Sequence, residues 1–146
     1  GERPAIQPPA GAMAEFLARN AANIAWVEAT FAEATRSGAR ALVLGFQADI
    51  FFAQRCGRGV DSGHAAFREA LGRAAAAFGR PVLLIHGDSH FWIQDRPFAA
   101  LPNVTRIMVP GDRETRAVRV VVDPNAPDPW SFSLIGPDDR VMAARC

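Results

Sequence analysis

One stretch constrains this fold more than any other: Pro81-Val-Leu-Leu-Ile-His-Gly-Asp-Ser-His90. A short apolar run bounded by Pro81 and Gly87 reads as a strand buried on both faces, the pattern of a parallel sheet. It stops at His86, and the turn Gly87-Asp88-Ser89-His90 follows. A buried strand that delivers polar side chains at its C-terminal end is where α/β proteins place their sites. Two of the three histidines lie in this stretch. Imidazole nitrogen and carboxylate oxygen together suit zinc, manganese or iron.

The flanking sequence supplies the rest of an α/β pattern. Gly1 to Gly11, with Pro4, Pro8 and Pro9, reads as an extended arm. From Ala12 to Arg36 the spacing of Phe16, Leu17, Ile24, Val27 and Phe31 predicts a helix with these residues as its core stripe, stopped by Ser37-Gly38. Ala41 to Phe46 is a second short apolar run, and Asp49 to Gly63 a loop. His64 to Phe78 is helical, with Gly79 as its stop, and Val82 to Ile85 is the strand described above. Strand, helix and strand of these lengths form a right-handed βαβ unit. Beyond His90, the runs Asn103 to Val109, Arg116 to Val122 and Trp130 to Ile135 are separated by turn-rich links. Short links favour antiparallel pairing, so these three runs are expected to form a meander. The expectation is one α/β domain over residues 1–146, with two packed sheets flanked by helices.

Composition narrows the function. At 146 residues and 49% hydrophobic, the chain can bury a substantial core. All 16 basic residues are Arg, set against 15 acidic ones, and a net charge of +1 is no electrostatic footprint for nucleic acid. No apolar run approaches the length of a membrane span. Cys56 and Cys146 suggest neither a disulfide framework nor a thiolate metal site.

The strand, the Gly-x-x-His turn and the trailing strands resemble the C-terminal half of the calcineurin-like metallophosphoesterases, whose catalytic region ends in Gly-His-x-His at a strand tip. The matching residues are Gly87, Asp88, Ser89 and His90. The helix around Arg19-Asn20-Ala-Ala-Asn23-Ile-Ala-Trp26, Leu101-Pro-Asn-Val-Thr-Arg106 and Val118-Arg-Val-Val-Val-Asp-Pro124 also look like bacterial members of that family. The resemblance implies the fold of half an αββα sandwich and hydrolysis of a phosphate ester. Two divalent ions (manganese, iron or zinc) would clamp the phosphate and activate a water. His90 and Asp88 would be the catalytic ligands, with His86 a further metal-site residue. The chain departs from the family in three ways. Asp88 replaces the first histidine of the final pair, and Gln47 stands where a lone histidine ligand is expected. None of Asp-x-His, Gly-Asp or Gly-Asn-His precedes residue 81. The expectation is therefore a catalytically incomplete half, completed by an upstream segment or self-associating through its uncovered surface.

Each residue also has a plainer reading. His90 can be a strand-end histidine bonded to backbone, and Asp88 can cap its own turn. His86 can be a satisfied core histidine, or can orient Asp88 or His90 from behind. Ser89 lacks a nucleophile elbow around it. His64 reads as solvated, and Asp49 as a loop residue able to enter the site. Trp92 reads as packed against the meander. The competing function is a non-catalytic α/β binding or interaction module without metals.

Overall fold

The computed structural model describes residues 9–52, 63–111 and 116–136. Cys56 and Cys146 lie outside them, as does most of the N-terminal arm. Among these residues two helices, α1 (Ala12–Arg36) and α2 (Ala65–Phe78), accompany six strands. These are β1 (Leu42–Gly45), β2 (Val82–His86), β3 (Ile93–Asp95), β4 (Val104–Met108), β5 (Ala117–Val122) and β6 (Trp130–Ile135). One sheet has the order β1-β2-β4-β3, and β5 and β6 form a second, antiparallel sheet.

The expected βαβ unit is present as β1-α2-β2, with the two strands parallel. The expected three-stranded meander is not. β4 runs parallel to β2, with Leu84 beside Arg106, and joins the main sheet. Only β5 and β6 pair antiparallel as a hairpin. The burial patterns explain the split. Every residue of β4 is buried, as a strand covered on both faces must be, whereas β5 alternates. β3, too short to read as a run, pairs antiparallel with β4 and gives the main sheet its mixed character.

The two faces of the main sheet are covered differently. Val27 and Phe31 of α1 and Leu71 and Phe78 of α2 pack over Leu44, Val82, Leu84 and Val104. On the opposite face Leu83 and Ile107 meet Trp130, with Val118, Val120 and Phe132 of the hairpin against them. The order is thus helices, mixed sheet, hairpin. Trp92 packs edge-on against Phe132, as expected.

α1 ends as its sequence implies. Gly38 takes φ 72°, Ala39 N–H donates to Ala34 C=O, and Gly38 N–H donates to Thr35 C=O. That pattern satisfies the terminal carbonyls of the helix. The expected core stripe holds only in its C-terminal half. Val27 and Phe31 are buried and Ile24 half-buried, but Phe16 and Leu17 are exposed, because they lie N-terminal to the part of α1 that packs into the core. β1 forms one edge of the main sheet, with Val43 47% exposed.

Candidate functional site

Two turns meet at the C-terminal ends of β1 and β2. After β1 the chain runs through Phe46, Gln47, Ala48 and Asp49. After β2 it turns through Gly87, Asp88, Ser89 and His90. Hydrogen bonds tie the turns together. Gly87 N–H donates to Gln47 C=O at 3.3 Å, and Asp49 N–H donates to an Asp88 carboxylate oxygen at 3.0 Å. Ser89 Oγ–H donates to Asp49 Oδ2 at 2.7 Å. α2 holds the first turn from behind: buried Arg68 donates to Ile50 C=O at 2.7 Å.

Asp88 and His90 both adopt left-handed backbone, at φ 75° and 62°. Asp and His are among the non-glycine residues that enter this region, at a cost of about 1–3 kcal/mol each, and such residues cluster at functional sites. The consequence is geometric. Both side chains emerge exposed at the sheet edge, while His86, the last residue of β2, is 1% exposed. His90 lies against the loop after β4. A Cβ added to Gly111 would fall 2.1 Å from His90 Cγ, so the ring needs a glycine beneath it.

Behind this rim lies a buried polar cluster. Asp49, 4% exposed, accepts from Phe51 N–H as well as from Ser89, and Arg106 Nη1 stands 3.9 Å from its Oδ1. Arg106 comes from β4 directly opposite Asp95 in the β3 register, and it grips both carboxylate oxygens of Asp95. Its guanidinium lies 4.9 Å from the Phe51 ring centroid. Planar, weakly hydrated guanidinium suits this combination of bidentate pairing and ring contact.

His86 sits beside this cluster. Its ring stacks on Phe46 at 5.4 Å with the planes 4° apart, and Nδ1 lies 3.2 Å from Gly87 O. Nε2 has no hydrogen-bond partner among the described residues. Burial holds its pKa below the ordinary 6.5, against the pull of Asp49 and of the Gly87 carbonyl. Nearby Arg106 adds to the lowering, and Asp95 opposes it. His86 is thus held neutral inside the sheet.

The expected ligand trio is therefore divided. Asp88 and His90 share the rim, whereas His86 is enclosed. Asp49, read as a loop residue able to enter the site, is its structural centre. Gln47 is exposed at the junction of the two turns, with Oε1 3.7 Å from where a Gly87 Cβ would stand. Arg106 and Asp95 escaped the sequence reading because their pairing depends on β3. The one available signal was an arginine inside the apolar run Asn103 to Val109.

These residues do not by themselves fit a metal centre. Asp49's two oxygens serve Phe51 and Ser89, and one Asp88 oxygen serves Asp49 N–H. Among the described residues no group of three or more His, Cys, Asp or Glu side chains is placed to hold a metal ion. No helix among them is long and apolar enough to cross a membrane.

Fold and site together define a mixed α/β protein with a polar rim at the C-terminal edge of its parallel strands. Comparison with protein-family models, with curated proteins and with solved structures finds no match.

Proposed function

We propose that this chain carries part of a metal-dependent phosphoesterase site, with Asp88 and His90 as its contribution to a divalent ion. The observation that carries this reading is the pair of left-handed residues, which turn a carboxylate and an imidazole outward at one sheet edge. Backbone strain of this kind persists only where the surroundings hold it, and here the Asp49 and Ser89 bonds do so. The edge position of β1 also supports the reading, since further strands can add there. Two side chains do not complete the coordination of an ion, and a two-metal mechanism needs more ligands still. No hydrolytic step is therefore assigned to this chain alone.

A second reading is favoured by one observation. The Asp49 carboxylate is satisfied from within the protein, so the turn holds its shape without a metal. That is what a non-catalytic binding module requires.

Zinc and manganese titrations separate the two readings. The phosphoesterase reading expects weak one-to-one binding that both Asp88→Asn and His90→Ala abolish, with negligible turnover of an aryl phosphate. Absence of binding, or binding indifferent to both substitutions, leaves the binding module.

A further inference from the structure

A cavity of about 280 Å³ opens between α1, the end of β1 and the start of α2, and the polar rim does not use it. Its volume is close to the lower limit of roughly 300 Å³ for ligand pockets, which suits one ring system and not an extended chain. Trp26, Phe46 and Phe67 contribute aromatic walls, and Asn20, Asn23 and Gln47 contribute three carboxamides. Among the described residues no Asp, Glu or Arg lines it, and His64, half-buried and not simply solvated, is the one titratable lining group.

This lining selects its ligand by chemistry. Aromatic faces favour a flat π-system. Each carboxamide presents a donor NH₂ beside an acceptor oxygen, which matches a ring edge bearing the same alternation. The described wall offers a charged group neither carboxylate nor guanidinium, which favours a neutral ring. Gln47 also joins the cavity to the rim, because its backbone carbonyl accepts from the N–H of Gly87, the first residue of the turn that carries Asp88 and His90.

We propose that this cavity binds a neutral, planar nitrogen heterocycle with adjacent hydrogen-bond donors and acceptors, the chemistry of a nucleobase. The neighbouring rim then takes nucleoside phosphates as its substrate class, a consequence that rests on the phosphoesterase reading above.

The test uses the whole chain and the four common ribonucleosides, which carry no phosphate and so report on the cavity alone. Binding is followed by tryptophan quenching and by calorimetry. At least one nucleoside is expected to bind one-to-one, and glucose is expected not to bind. The quenching should vanish in Trp26→Phe, which removes the indole but keeps a ring. Trp26→Ala should weaken calorimetric binding by at least about fivefold, the loss of one base-stacking contact. Asn23→Leu should weaken it by about fivefold, the loss of one neutral hydrogen bond. Both positions are exposed, so circular dichroism should show unchanged folding. The inference is overturned if no nucleoside binds, if glucose binds equally well, or if Trp26→Ala and Asn23→Leu leave binding unchanged. Metal binding at Asp88 and His90 without nucleoside binding removes the cavity proposal and spares the phosphoesterase reading. Nucleoside binding without tighter, metal-dependent binding of the monophosphate keeps the cavity and removes the link to the rim.

Discussion

Replacing Asp49 by alanine should be among the most destabilising single changes near the rim, although no ligand is involved. The carboxylate is 4% exposed and accepts from Phe51 N–H at 3.2 Å and from Ser89 Oγ–H at 2.7 Å. Hydrogen bonds to a charged group contribute about 1.5–3 kcal/mol each, so the two together set a loss of about 3–6 kcal/mol. Arg106 adds to this, because its Nη1 faces Asp49 Oδ1 at 3.9 Å and makes no hydrogen bond among the described residues. Removing one partner of a buried charge pair costs about 3–5 kcal/mol, but Arg106 keeps Asp95, so the full figure does not stack on the first. We expect about 3–6 kcal/mol in all, a large share of the roughly 5–15 kcal/mol that holds a typical domain folded. The assay is urea unfolding of wild type and variant, read by far-ultraviolet circular dichroism. The midpoint should fall with the m-value unchanged, and the melting temperature should fall by roughly 10 °C. A cycle with Ser89→Ala should show coupling of about 1 kcal/mol or more, since the two side chains share a bond. A loss under about 1 kcal/mol would mean the carboxylate is hydrated and not enclosed, and the account of the buried cluster would fall with it.

Three further outcomes follow from the same geometry. His86 is neutral in the fold and its pKa lies below 6.5, so the unfolded chain binds the extra proton first. Its stabilising effect is complete above 6.5 and is lost as pH falls from there through the depressed folded value; unfolding midpoints from pH 8 to about 5 should therefore decline on acidification, and less so in His86→Gln. Gly111→Ala should displace His90, whose Cγ and Cβ would lie 2.1 and 2.4 Å from the new Cβ; turning the ring does not move Cβ, so backbone must shift and the cost should be at the upper end of about 1–3 kcal/mol or above, and an unshifted His90 imidazole resonance would contradict the contact. Leu84→Ala, at a fully buried position under the helices, should cost about 2–5 kcal/mol in denaturant unfolding.

Much of the fold was legible because it is local. The period of α1, the stop at Gly38 and the apolar runs of β1 and β2 each depend on residues close in sequence, and the βαβ unit follows from their lengths. The errors were in pairing. The run containing Val104 to Met108 looks like the runs after it, and a short link to its successor favours a hairpin. It pairs with β2 instead and is covered on both faces, with Arg106 buried against Asp95; its composition, no more apolar than that of β5, does not reveal this. Phe16 and Leu17 fit the helical period of α1 but lie outside its packed half, which periodicity does not reveal.

The site divides along the same line. Sequence alone determined that His86, Gly87, Asp88 and His90 end a buried strand, and that His86 is the inner histidine, because strand and turn are consecutive residues. Only the tertiary structure decided that Asp49 anchors the turn, that Arg106 and Asp95 stand behind it, and that Trp26 and Gln47 share a cavity. Ser89 bonds to a residue 40 positions away. A bond of that kind exists only after parallel strands from separate parts of the chain are placed side by side, and the register that places them is set by burial summed over the whole sheet.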